Sequence, residues 1–223
     1  MGHRRSFTPD ESARVRTRGQ LLEAAREVFA AAGFRNATIR EICLRAGANV
    51  AAVNYHFGDK ENLYAAAVGA AARIAREKYP ENFGLPAHPT PAQRLRAFVR
   101  SLLLRTLSEG PHTHHGKLLT RELIEPSPAL DGIVKDNLQP MAATLISIMG
   151  DLLGKKASEA LIRNCGLSVA GQVFFQFQCR PVLNRMFPEM KYEDEDIERL
   201  ADHITRFSLA AIKKLASQGP KPR

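Results

Sequence analysis

Apolar residues recur at steps of three and four along most of the 223-residue chain, and no stretch alternates as a half-buried strand would. Leu21, Leu22, Ala25, Val28, Phe29 and Ala32 share one face, so a first helix is expected from Thr17, with Gln20 completing a capping box, to Gly33. Two short helices follow. Thr38 and Glu41 have capping-box spacing, Gly47 suits a left-handed helix end, and Asn49 caps a second helix from Val50 to about His56. Ile42, Ala46 and Val53 are the apolar residues that would hold this pair together. Asp59 then caps a helix from Lys60 to about Lys78, with Leu63, Tyr64, Ala67, Ala71 and Ile74 facing inward.

Pro80 to Pro91 holds four prolines and a glycine and marks the clearest break in pattern. Thr90-Pro91-Ala92-Gln93 is a strong helix start, and that helix is expected to reach Ser108. His112 to His115 reads as a turn, and Gly116 to Ile124 as a short helix. Ser127-Pro128 opens a long helix to about Leu153, which Pro140 should kink or break. Ser158 caps another helix to about Gln178, Pro181 and Pro188 bound irregular structure or a short turn, and a last helix runs from Asp194 to about Ala216. The expected fold is all-α without internal repeats. Residues 1–14 form a mobile basic arm, 15–62 a helix-turn-helix domain, and 63–223 a helical body.

Charge sharpens this division. The formal net charge is +9, and residues 1–60 carry ten Lys or Arg against six Asp or Glu, nearly half of the excess in about a quarter of the chain. A basic N-terminal part favours a polyanionic partner there, while the milder remainder suits a separate body. Cys43, Cys165 and Cys179 are odd in number and widely spaced, which argues against a disulfide framework and fits a reducing cytoplasm. No apolar run is long enough for a membrane span, and the polar N-terminus does not read as a signal peptide.

Two short helices joined by a tight turn would present the second to a DNA major groove. Ile42, Ala46-Gly47 and the run Val53-Asn54-Tyr55-His56-Phe57-Gly58-Asp59-Lys60-Glu61-Asn62-Leu63 resemble the amino-terminal domain of TetR/AcrR-type transcriptional regulators. The Tyr-His-Phe followed by Lys-Glu-x-Leu is the more specific part, and the likeness covers roughly residues 15–75. Lys117 to Leu130 further resembles the CecR-like subgroup. The resemblance implies a homodimer with a helical ligand-binding and dimerisation domain, no cofactor, and a double-stranded operator as partner.

Ala51, Ala52, Asn54 and Tyr55 are the candidates to face a groove from so short a helix. Asn54 can pair bidentately with adenine and alanine methyls can touch thymine methyls, although two alanines also simply let the backbone approach. Tyr55, His56 and Lys60 match family positions that hold phosphates. His56 has a second reading, a hydrogen bond that stiffens the turn. Thr38 and Arg40, at a helix N-terminus, should meet the DNA backbone. For Arg16 and Arg18 a contact to an adjacent phosphate or the minor groove and a solvated face stand equal. Cys43 departs from the family's usual alanine but is small enough to pack. Asn54 stands where many members have a larger residue, so base preference does not transfer.

In the body, a dimer needs a self-complementary apolar surface. Gly166, Ala170, Ile204, Phe207 and Ala211 are the candidates, against the plainer reading that they are internal core. A pocket for a largely apolar effector would draw on Phe98, Leu102, Leu119, Met141, Leu145, Met149, Phe174 and Phe177, with Arg121 and Gln178 as polar groups. Each of these is, taken singly, ordinary core. An anionic ligand would instead anchor on Arg121 or Arg180. His112, His114 and His115 raise a metal site, but they read better as a solvated loop, and no catalytic motif occurs. The expected function is therefore a non-enzymatic, ligand-responsive repressor. A non-specific architectural DNA-binding protein and a metal-dependent helical enzyme are the alternatives.

Overall fold

The structure, a computed structural model, describes residues 9–108 and 114–217. Its α-helices in chain order are α1 (Pro9–Asn36), α2 (Ile39–Ala46), α3 (Val50–Phe57), α4 (Lys60–Lys78), α5 (Pro91–Leu107), α6 (His114–Ile124), α7 (Leu130–Ile133), α8 (Gln139–Leu153), α9 (Glu159–Gln178), α10 (Arg180–Met186) and α11 (Asp194–Ser217). No strand occurs among the described residues, in keeping with the three-to-four periodicity of the helical stretches. The chain forms two compact units, one of residues up to 71 together with 117–133, the other of 72–116 together with 134 onward.

In the first unit, α1 begins well before Thr17, whose hydroxyl donates to the Ala13 carbonyl (3.0 Å) from inside the helix and caps nothing. Of the expected basic arm, residues 1–8 lie outside the described residues and the rest is helical. Thr38 does cap α2, its Oγ1 accepting from the Glu41 N–H at 3.1 Å. The return half of the box is not formed, and the Glu41 carboxylate pairs instead with Arg45, four residues on, at 3.1 Å. The core gathers Leu21, Val28 and Phe29 of α1, Ile42, Val53, Leu63 and Tyr64, with Leu118 and Ile133 from the later segment. Phe29 meets Tyr64 edge-on at 4.9 Å.

Gly33 adopts φ +78°, which breaks α1 near its end and exposes carbonyls there. Arg121 satisfies two of them, donating from Nε to the Ala30 carbonyl (3.0 Å) and from Nη2 to that of Ala31. Its neighbour Glu122 is fully buried and accepts from the Tyr64 hydroxyl (2.9 Å) and from the Ser127 N–H and hydroxyl (each 3.0 Å). The carboxylate thereby has donors on both oxygens, which is what makes its burial tolerable.

In the second unit, Thr90 and Gln93 form a complete capping box for α5, with Pro91 in the first turn. The helix expected from Ser127-Pro128 does break: α7, the last element of the first unit, is followed by a π-helical turn, Val134–Leu138, and α8 restarts with Pro140 in its first turn. There the missing proline N–H costs no hydrogen bond. Ser158 caps α9 through the Leu161 N–H at 3.2 Å. The stretch expected to be irregular contains α10, which Pro181 opens. Leu95, Leu103, Ile148, Val169, Ile197 and Ala201 are among the core residues contributed by α5, α8, α9 and α11. Arg96 and Arg100 of α5 pair with Glu198, and Arg96 also with Asp202 (2.6 Å), both carboxylates on α11.

Candidate nucleic-acid interface and ligand cavity

The turn between α2 and α3 is built from backbone needs. Gly47 takes φ +62°, so its N–H reaches back to the carbonyls of Cys43 and Leu44 and closes α2. Asn49 Oδ1 accepts from the Ala52 N–H at 2.9 Å and starts α3. Ile42, Cys43, Ala46 and Val53 are buried, so the two helices share one small core and α3 is held rigidly by it. Burial pushes the Cys43 thiol up, consistent with a packing role.

What this leaves exposed is one side of α3. Asn49, Ala51, Asn54 and Tyr55 face solvent, Tyr55 with 68% of its surface free. Ala52 is half-buried and packs in part against the core. His56 is half-buried and in edge contact with Tyr55 (5.0 Å), and Thr38 and Arg40 are exposed at the start of α2. Lys60 is partly committed elsewhere. Its ammonium donates to the Arg35 carbonyl (3.3 Å) and lies 4.7 Å from the Phe34 ring centre, and burial lowers its pKa. An ammonium has three N–H groups, so a phosphate contact stays chemically available to it.

The structure adds a cation that sequence reasoning missed. The Arg14 guanidinium lies 5.9 Å from the Tyr55 ring centre and that of Arg18 lies 5.0 Å from the Phe57 ring centre. Both come from α1, at positions i and i+4, and that spacing alone places them on one face. Arg16 is exposed.

The second unit contains a cavity of about 460 Å³. Arg76, Glu81, Asn82, Arg94 and Thr144 supply its polar lining, and Leu85, Phe98, Met141 and Ile148 most of its apolar lining. Of the expected pocket residues, Phe98 and Met141 line it. Leu102, Leu145 and Met149 are buried in that unit's core. Phe174 and Phe177 pair with each other on α9 (5.3 Å), and Gln178 is exposed at the end of that helix. Leu119 and Arg121 belong to the first unit, where Leu119 is buried and Arg121 closes α1. Arg180, the other suggested anchor, donates to the Leu107 carbonyl (3.1 Å) and stacks by the Tyr192 ring. The cavity draws its polar groups mainly from the proline-rich connection and from helix ends, which carry no periodic signal.

The candidate dimer residues separate into two groups. Gly166 packs against Leu145, Ile146 and Met149, and Ile204 is 2% exposed in the unit's own core, so neither faces outward. Ala170 is half-buried, while Phe207, 62% exposed, and Ala211 point to solvent. The helix hydrogen-bond ladder turns successive side chains by about 100°, and Ile204 and Phe207 thus fall on different edges of one helix face.

His114 and His115 open α6, so they are helical and not in a loop, and His112 lies outside the described residues. Burial, with the charges of Arg105 and Arg76, pushes the His115 pKa down to about 4. No group of three or more His, Cys, Asp or Glu placed to hold a metal occurs among the described residues. Among them, no helix is long and apolar enough to cross a membrane.

Comparison with known proteins agrees with this arrangement. Residues 21–67 match the family of bacterial regulatory proteins, tetR family, and residues 91–212 match the C-terminal domain of the HTH-type transcriptional dual regulator CecR. The dual regulator CecR of Shigella flexneri is 32% identical over 151 residues, 63% of this chain and 66% of that protein. The HTH-type transcriptional repressor AcnR of Corynebacterium glutamicum is 39% identical over 66 residues, 30% of this chain and 35% of that one. The matched stretch thus spans just under two thirds of the first relative and about a third of the second. The crystal structure of the transcriptional regulator FadR from Bacillus subtilis in complex with stearoyl-CoA shares the fold, with a TM-score of 0.67 at 14% identity over 86% of this chain and 97% of that one. The chain belongs to the TetR family of bacterial transcriptional regulators and carries a C-terminal domain of the CecR type.

Proposed function

We propose that the chain acts as a homodimeric repressor that binds a palindromic operator through α2 and α3 and is released by a small molecule. The observation that carries this reading is the exposed side of α3, where Asn54 and Tyr55 face solvent, with Arg14 against the Tyr55 ring, Arg18 against that of Phe57, and Arg40 exposed at the start of α2. Hydrogen-bonding side chains for base edges surrounded by cations for phosphates are the two components that sequence-specific binding needs. An apolar surface on α9 and α11, with Leu167, Phe175 and Phe207 exposed, supports self-association. The repressor relative AcnR and the stearoyl-CoA complex of FadR support the repressor and ligand-responsive parts.

The test separates two kinds of contact. Asn54→Ala should lose discrimination at particular base pairs, by about 1–3 kcal/mol. Arg40→Ala should weaken binding to all sequences alike and reduce the log–log salt slope by about one. Fluorescence anisotropy with operator and scrambled duplexes over a salt series measures both. Equal losses on specific and random DNA for both variants would remove α3 as the reading element.

A further inference from the structure

We infer that the cavity of the second unit binds an amphipathic organic anion, a single carboxylate head on an apolar chain, with Arg76 anchoring the charge. The inference rests on the ligand-responsive reading above and adds the ligand's chemical class. Its ground is the pairing of charges around the cavity. Glu81 is engaged by Arg105 at 3.2 Å, and Asp151 by Arg94 at 2.5 Å. Arg76 lines the same cavity, and no carboxylate among the described residues pairs with it. Arg105 and Asp151 lie outside the lining, so among the lining residues themselves two guanidinium groups, Arg76 and Arg94, stand against one carboxylate, Glu81, and leave one positive charge in excess.

The surplus is felt locally. Arg105 is buried, and its Nη2 makes no hydrogen bond. The Arg105 and His115 pKa values both fall, mainly through burial and in part through the Arg76 charge. A monoanion beside Arg76 would neutralise the excess; a neutral ligand would leave it, and a cation would add to it. The other wall is apolar. Leu85, Phe98, Met141 and Ile148 can take an unbranched or aromatic body, and about 460 Å³ suits a small molecule. Met141 adds an adaptable thioether to that wall.

The full chain is titrated calorimetrically with decanoate, decan-1-ol and decylamine, and operator release is followed separately by anisotropy. Decanoate should bind at least about tenfold more tightly than decan-1-ol, the scale of one charge-assisted hydrogen bond, and decylamine should bind least. Arg76→Gln should bring decanoate and decan-1-ol to near parity. Met141→Trp, which fills the apolar side, should weaken both. Equal affinity for decanoate and decan-1-ol in the wild type overturns the inference, as does an Arg76→Gln variant that keeps the preference. Decanoate binding without operator release supports the site and refutes the effector reading. Operator release by decan-1-ol with no decanoate binding refutes the site and leaves that reading standing.

Discussion

The buried Glu122 carboxylate offers the most exacting check on how the first unit is held together. One oxygen takes the Tyr64 hydroxyl at 2.9 Å, and the other takes two donors from Ser127 at 3.0 Å each. Tyr64→Phe removes one donor and leaves an acceptor oxygen facing an apolar ring. A hydrogen bond to a buried charge contributes about 1.5–3 kcal/mol, so the variant should lose about that much. For a chain of this length the melting temperature should fall by roughly 3–12 °C. Glu122→Ala strips partners from both Ser127 donors and from the Tyr64 hydroxyl and opens a void, at about 3–5 kcal/mol. Glu122→Gln keeps an acceptor for Ser127 and turns an amide N–H toward the Tyr64 oxygen, so about 1 kcal/mol is expected. Urea unfolding followed by circular dichroism measures all three, with unchanged m-values showing that stability alone has moved. The predicted order of damage is Glu122→Ala, then Tyr64→Phe, then Glu122→Gln. A Tyr64→Phe variant as stable as the wild type, or a glutamine more damaging than the phenylalanine, would refute the argument.

Two further outcomes are expected. Phe207→Glu places a charge on the exposed surface of α11 and, if that surface is the dimer interface, leaves it unpaired and desolvated; sedimentation should then show monomers and operator affinity should collapse, whereas a stable dimer would move the interface elsewhere. His115, with its pKa lowered from 6.5 to about 4, binds its proton more readily in the unfolded chain. Between those pH values the unfolded state holds the extra proton, so stability should fall by about 1.4 kcal/mol per unit as pH drops. His115→Asn should flatten that slope in urea midpoints measured from pH 7 to 4.5, and parallel slopes for the two proteins would contradict the assignment.

Local signals in the sequence were legible where the physics is local. Asn49, Thr90 and Ser158 cap the helices their side chains suggest, because a cap needs only a donor three residues away. Gly47 and Pro140 likewise mark a left-handed end and a restart. Three features were not legible. Thr17 has good cap spacing, yet α1 runs through it. Arg121 carries no mark that its partners are the carbonyls of Ala30 and Ala31. α10 hides between two prolines because its one buried residue of note, Leu183, gives no period to read. On the candidate interface, the exposure of Asn54 and Tyr55 follows from α3 periodicity, but the partial burial of Ala52 and the tie of Lys60 to the Arg35 carbonyl depend on packing. The cavity is the least legible part, since its charged groups stand at helix ends and in a connection.

The first unit is assembled from two stretches of chain with all of α5 between them in sequence. A ribosome therefore releases the helix-turn-helix residues early but finishes their support late. At about 5–20 residues per second, roughly 3–12 s pass between residue 71 and residue 133. Over most of that interval Phe29 and Tyr64 lack Leu118 as cover and the carbonyls near Gly33 lack Arg121, and Ile133 comes only at its end. A message broken before codon 117 would yield every residue of α2 and α3 on a core still open to water, so incomplete synthesis is poorly suited to producing a stray competitor for the operator.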